Sequence, residues 1–355
     1  MKNKLKKYAA IAFAALLGML FIVKHDIVAD SIKESLTLCG EVLIPSMLPF
    51  MVLSSFALYA GLFSSPGKPV TLFMNRVFHL PGSSFQALFF GFTGGYPVGA
   101  RTIAELYENG QINKGEAEHL FAFCINSGPA FTVSAAGGIM LRSQYAGYIM
   151  IVSVCLASAA VGIALGIVRR KEAVSDLPVA KATNNMSDAL IEGVSAAERG
   201  IFSVCVWLLT FSAFSAVTDS FIKVSVVRAV YEMITEVTAG VSAAAHIGGL
   251  PLCSACISFG GLCVMCQLVP SMKKCGIKIK KYLLFRIINS ILTYVISEII
   301  LLIVPVDISV SSSYDFVLYS STAPAGAALI IMGGLLIYEL SSGETGKIKL
   351  GDILG

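Results

Sequence analysis

The chain has 355 residues, 56% of them hydrophobic and only 14% charged, with a mean hydropathy of +0.79. Soluble domains carry about 25% charged residues, so the composition excludes an ordinary soluble enzyme and makes the lipid bilayer the expected solvent and partner. The formal charge of +4 calls for no nucleic-acid partner, and nine cysteines, an odd number set mostly in apolar runs, argue against a disulfide framework.

Residues 1–7 carry four lysines, and the apolar run 8–23 follows. A signal peptide has this shape, but Lys24-His25-Asp26 comes directly after the run with no small-x-small cleavage site. A retained helix with a cytoplasmic N-terminus is the expectation. Asp30 to Gly40 reads as an amphipathic interfacial piece, and Val42 to Phe63 as a second span carrying Pro45 and Pro49. A loop or interfacial helix over 64–82 leads into the segment Phe85 to Val98, too short to cross a bilayer comfortably and read as re-entrant.

That segment is interrupted at Gly94-Gly95-Tyr96-Pro97, and the next apolar segment, Leu120 to Leu141, at Asn126-Ser127-Gly128-Pro129. Glycine admits positive φ, while proline lacks a donor and disfavours helix before it. Peptide groups freed by such breaks are tolerated at membrane depth only inside protein or beside a watery cavity. In carriers, Gly/Pro-interrupted segments mark the substrate site. Between the breaks, a polar connector, Gly99 to His119, sets Arg101 and Lys114 among glutamates and turns at Asn109-Gly110.

Tyr145 to Val168 is a span rich in small residues, stopped by Arg169-Arg170-Lys171. After a polar linker come an amphipathic piece, Asp188 to Arg199, and a span from Ile201 to Val217. Val226 to Ala245 is apolar except for Arg228, Glu232, Glu236 and a few hydroxyls. The stretch His246 to Val269 is again broken by glycine and proline. A loop with lysines at 273, 274, 278, 280 and 281 precedes Tyr282 to Val304. An acidic connector with Asp307 and Asp315 then joins it to Phe316 to Leu340.

The expected fold is all-α: a polytopic helical membrane protein of about 7–8 spans with broken or re-entrant segments and two related halves. The expected divisions are an N-terminal helix (1–29), a first half (30–171), a linker (172–187), a second half (188–340) and a tail (341–355). The halves align at one offset: Gly94-Gly95 falls on Gly260-Gly261, Gly110 on Gly276 and Lys114 on Lys280. If they are inverted, the lysine loop and the polar connector lie on opposite sides. The positive-inside rule puts the lysine loop in the cytoplasm and is in tension with that arrangement.

The block GFTGGYPVGARTIAELYENGQINKGEAEHLFAFCINSGPAF, with its Gly-Tyr-Pro-Val-Gly-Ala run at Gly95 to Ala100, resembles the sporulation integral membrane protein YlbJ family. That family belongs to the wider group with nucleoside-recognition, or gate, domains. Glu116-Ala117-Glu118, the break at 126–129 and the later Ser258 to Gln267 add to the likeness, which extends over residues 30–340. The resemblance implies a membrane protein of spore-forming bacteria that moves dipicolinic acid toward the developing spore. Cys263 and Cys266 stand where that pattern has small or polar residues, which puts the substrate in question more than the fold.

The candidate substrate site comprises Gly94, Gly95, Tyr96, Pro97, Asn126, Ser127 and Pro129, with Ser258, Gly260, Gly261 and Gln267 from the second half. The bland alternative is a set of kinks that permit tight packing. Arg101 suits bidentate binding of a carboxylate, or is an interfacial arginine held by Glu105 at i+4. Glu232 and Glu236, one turn apart in an apolar run, are candidates for ion or proton coupling, or carboxylates in interfacial water. Cys253-x-x-Cys256 and Cys263-x-x-Cys266 are too closely spaced for a zinc ribbon, so no metal or cofactor is expected. Nucleotide-binding and hydrolase signatures are missing, which argues against an ATP-driven pump built from this chain alone.

The expected function is therefore carrier-type or facilitated transport of a small polar, anionic solute. The alternatives are a non-transporting assembly or signalling protein of sporulation, with homo-oligomers or sporulation membrane partners, and a nucleoside or lipid translocator.

Overall fold

The computed structural model describes residues 2–62, 66–170, 174, 185–219, 221–222, 224–304 and 306. The expected span Phe316 to Leu340, the Asp307/Asp315 connector, the tail and most of the linker fall outside them. Among the described residues every regular element is helical, and the protein is an all-α polytopic membrane protein.

The chain opens with α1 (Lys2–Val23), α2 (His25–Leu38) and α3 (Ile44–Tyr59). The amphipathic piece at 30–40 is not separate. A π-helical turn, Cys39–Leu43, joins α2 to α3 in one helical run of 35 residues, His25–Tyr59. The Ile44 N–H reaches back to Cys39 O there, a five-residue step taken just before the two prolines. Short α4 (Lys68–Phe73) precedes α5 (Phe85–Thr93), α6 (Tyr96–Glu108) and α7 (Lys114–Phe123). The nine residues of α5 rise about 14 Å, half a hydrocarbon core, as expected of a segment that does not cross. Asn113 and Glu116 form a reciprocal capping box that starts α7 after the glycine turn at Gly110 (φ 69°). A π-helical segment, Ala130–Met140, then leads to α8 (Gln144–Val168), whose small residues form the buried face.

In the second half the amphipathic piece and the span beyond it are one continuous helix, α9 (Met186–Asp219), 34 residues long. It is followed by α10 (Ser225–Thr235), α11 (Val237–Phe259), α12 (Gly261–Lys274) and α13 (Ile279–Ile303). Among the described residues, five helical runs are long and apolar enough to cross a membrane: His25–Tyr59, Gln144–Val168, Met186–Asp219, Val237–Lys274 and Ile279–Ile303. Shorter apolar helices lie at Ala14–Val23 and Ala130–Met140.

The second-half run Val237–Lys274 is the most buried of the five, packed among α8, α10 and α13. Close approach of backbones holds the first half together. A Cβ on Gly91 would stand 1.9 Å from Cys124 O, and one on Gly99 2.7 Å from Gly91 Cα. Only glycine lets α5, α6 and the end of α7 meet at that distance.

Candidate functional site

Local chemistry sets each interruption. After α5 the chain passes Gly94 (φ −89°) and Gly95 (φ 83°, ψ −175°), a conformation essentially reserved for glycine. Pro97 then sits in the first turn of α6, where its missing N–H has no helical partner to lose. Residues 125–128, after α7, are irregular. These two breaks lie backbone against backbone: a Cβ on Gly95 would be 3.3 Å from Gly128 N, and one on Gly128 3.0 Å from Thr93 O.

The second half repeats the device with different residues. Glu236 is extended (φ −145°, ψ 135°) and separates α10 from α11, while Gly260 (φ 82°) and Gly261 (φ 76°) separate α11 from α12. A Cβ on Gly261 would meet Thr235 O at 3.1 Å and Glu236 N at 3.2 Å, so this pair of breaks is also in contact. Inside α11, Gly249 (φ 64°, ψ −161°) followed by Pro251 makes a further kink.

All four interruptions, or the turns beside them, border one cavity. It holds about 500 Å³ of empty space, open solvent at its mouth included. Gly95, Tyr96, Pro97, Ser127 and Gly128 come from the first pair of breaks; Glu236, Val237 and Thr238 from the unwound start of α11; Cys263, Val264 and Gln267 from α12. Leu43, Met47, Phe131, Val204 and Leu208 supply the remaining wall. The lining is therefore mostly apolar with a few polar groups at helix ends, the usual make-up of a small-molecule site.

Of the residues singled out in the sequence, Gly95, Tyr96, Pro97, Ser127, Gln267 and Glu236 thus come together on this cavity. Asn126 stands behind it, fully buried, with Nδ2 donating to Phe123 O at 2.8 Å and Oδ1 accepting from Ser158 Oγ at 2.8 Å. Its bonds brace the break from within. Gly94, Pro129, Gly260 and Gly261 shape the backbone without lining the cavity, and Ser258 is buried on α11.

Arg101 is also away from the cavity. Nη1 donates to Ala196 O of α9 at 2.8 Å, while nearby Glu105 accepts from Tyr59 at 3.3 Å. Glu232 is held by Arg228 at 2.9 Å, and Arg228 also reaches Asp219 at 2.8 Å. Glu236 differs: 5% exposed and forming no ion pair among the described residues, it caps α11 by accepting from Ala239 N at 2.8 Å and from Thr238 Oγ1. The two glutamates read together in the sequence therefore have unlike surroundings. Cys253, Cys256 and Cys263 are buried free thiols, and no group of three metal-ligating side chains occurs among the described residues.

Sequence reading missed the polar face of α13. Arg286, Asn289, Thr293 and Ser297 are all fully buried, at helical spacings of three and four residues. Arg286 donates to Ile125 O, Asn289 to Ala122 O at 2.9 Å, and Ser297 pairs with Ser254 at 3.0 Å. The signal was present as that spacing inside an apolar span, where such residues turn toward protein.

At one end of the bundle, Lys274 pairs with Glu108 at 2.9 Å and Lys281 with Glu118. The lysine loop and the polar connector therefore share a side, and the inverted arrangement of these two segments does not hold.

Residues 41–171 match the Gate family model, described as nucleoside recognition. This region includes both first-half breaks. A stretch of 143 residues is 32% identical to the sporulation integral membrane protein YlbJ of Bacillus subtilis (strain 168), covering 40% of this chain and 35% of that protein. The chain thus spans about a third of the length of the curated relative it matches. The resemblance carried by the Gly95 to Ala100 run is borne out on the Gate region, while the matched segment does not extend over the whole of 30–340. No solved structure matches the chain significantly.

Proposed function

We propose that this protein is a carrier or facilitator that passes a small, polar, anionic solute across the membrane. The observation that carries the reading is the meeting on one cavity of three chain interruptions and the first turn after a fourth, with the buried carboxylate of Glu236 among its lining groups. Unwound helix ends present free N–H and C=O groups, which bind polar solutes and ions in an otherwise apolar setting. A buried acid there can carry the coupling proton or ligate the coupling cation. Likeness to a sporulation protein supports a role in sporulation, with dipicolinate as the first solute to try and the forespore membrane as the place to look. The shared side of connector and lysine loop, read with the positive-inside rule, favours the cytoplasm for that side.

Uptake by proteoliposomes of the full chain tests this directly. Labelled dipicolinate, a nucleoside and a plain dicarboxylate are offered to wild type, Gly95→Ala and Glu236→Gln, with and without an imposed ion gradient. Saturable uptake of the anion, lost in Gly95→Ala and insensitive to the gradient in Glu236→Gln, is the expected result. No uptake of any solute by well-folded protein would move the reading to a non-transporting role in sporulation assembly.

A further inference from the structure

Arg286 is the largest fully buried side chain among the described residues. Nη1 donates to Ile125 O, at the edge of the second break, whereas Nε and Nη2 have no hydrogen-bond partner. None of the ion pairs among the described residues includes it. One turn further along α13, Asn289 donates to Ala122 O and Phe285 O at 2.9 Å, while its Oδ1 is unpartnered.

A guanidinium cannot shed its proton to escape burial, and an uncompensated buried charge is strongly destabilising. Buried donors are almost always satisfied, so two orphaned N–H groups on one buried cation call for a specific explanation. Its position supplies one. The guanidinium carbon lies 6.0 Å from the centre of the Tyr96 ring, and Tyr96 lines the cavity. Ile125, its other contact, precedes the break that contributes Ser127 and Gly128 to the same wall. Arg286 does not itself line the cavity, but the ring it faces and the turn it bonds to both do. The Tyr96 hydroxyl is tethered to Ile257 O and bonded to the Ser127 side chain, and its buried ring packs beside Gly260, so a swing of the ring gives up these contacts.

We infer that Arg286 is the anion-recognising group of this site, taking a solute carboxylate through its free Nε and Nη2 when the Tyr96 ring moves aside. Those two N–H groups form the fork that matches a carboxylate in bidentate fashion. Asn289 Oδ1, on the same face of α13, accepts from a donor on the solute. Arg101, the arginine that stands out in the sequence, is already bonded to α9 and is not needed for this. The inference rests on the reading of the cavity as a solute site and gives that site its substrate class: a carboxylate-bearing molecule.

The test uses the full chain in lipid nanodiscs, with equilibrium binding of pyridine-2,6-dicarboxylate and benzoate against their neutral amides, inorganic phosphate being a separate arm. Wild type is expected to bind the carboxylates at least tenfold more tightly than the amides. Arg286→Gln is expected to lose that preference while its Tm stays level or rises, because an unpaired buried charge is gone. Arg286→Lys, which keeps charge without the fork, should fall between. A wild type without preference for carboxylates, one preferring phosphate, or an Arg286→Gln protein of native Tm with unchanged preference would overturn the inference.

Should Arg286→Gln fail to fold, phenylglyoxal labelling of wild type decides. The carboxylates, and not the amides, should slow adduct formation at Arg286 several-fold. No adduct there, or equal rates with both, counts against the site. Proteoliposome uptake separates the two readings. Carboxylate binding through Arg286 without uptake removes the carrier and leaves the anion site. Uptake unchanged in Arg286→Gln removes the anion site and leaves the carrier.

Discussion

Lys274 Nζ lies 2.9 Å from a carboxylate oxygen of Glu108, and these two residues are 166 positions apart. That is the offset that sets Gly94-Gly95 on Gly260-Gly261 and Gly110 on Gly276. The paired glycine turns agree in backbone as well, with φ 69° at Gly110 and 63° at Gly276. If the halves are repeats, equivalent residues can touch one another only close to the axis that relates them, so α6 and α12 flank that axis with their ends on the same side. Cysteines placed at 108 and 274 should form a disulfide on mild oxidation in membranes, visible as a gel shift. Absence of any cross-link would rule this packing out. As an exposed ion pair the contact itself is worth about 1 kcal/mol or less. Charge reversal at either position should therefore alter Tm only slightly, and reversal at both should restore it.

Among the described glycines, Gly91 is the position least able to accept a side chain. An alanine Cβ there would meet the Cys124 carbonyl oxygen at 1.9 Å, and the neighbour is backbone, which cannot step aside. Gly91→Ala is expected to cost about 3 kcal/mol, the upper end for overpacking. Gly18→Ala, mid-helix with nothing within 4 Å, should leave the Tm of the solubilised protein level or raise it slightly.

Gly95 and Gly110 both have positive φ, at 83° and 69°, yet only Gly95 lines the cavity. Alanine should cost about 1–2 kcal/mol of backbone strain at Gly110 and up to about 3 kcal/mol at Gly95, whose conformation only glycine occupies readily. Loss of uptake is expected for Gly95→Ala alone. Equal loss in both would show that strain, and not the geometry of the break, is what transport reports.

Ser158→Ala removes the donor that satisfies the fully buried Asn126 Oδ1. Stranding that oxygen should cost about 1–3 kcal/mol. Ser153→Ala, whose hydroxyl only doubles a bond to Ile149 O of its own helix, should cost well under that. Chemical or thermal unfolding of the two variants compares them directly.

Glu236 has two separable duties. Gln keeps an oxygen to cap Ala239 N, so Glu236→Gln should hold its Tm while losing any dependence of uptake on an imposed proton gradient. Glu236→Ala forfeits the cap as well and should lose about 1 kcal/mol of stability. Gradient-dependent uptake by the Gln variant would remove Glu236 from coupling.

Much of this protein was legible in its sequence because the relevant forces are local or act along the chain. Apolar runs of membrane length appear as helices, since hydrocarbon leaves a backbone no other partner than itself. The breaks at Gly94 to Pro97 and Asn126 to Pro129 fall where glycine and proline chemistry puts them, and the same chemistry predicted the turn at Gly110. What failed locally failed through continuity. The pieces at 30–40 and 188–199 merge with the spans that follow, because an amphipathic start costs nothing to a helix whose next turns are buried.

The sequence by itself determined a helical membrane protein, the places where its helices stop, and which residues could serve a polar solute. Tertiary structure alone decided which of those residues meet. Periodicity assigns a side chain to a face but does not say what that face touches. Asn126, Arg101 and Glu232 were therefore as plausible as Ser127, Gln267 and Glu236 until packing put the first three into braces and ion pairs and the others around one cavity. The same packing set Arg286 in the interior without a carboxylate among the described residues, a contact 161 residues away in the chain that no local pattern encodes.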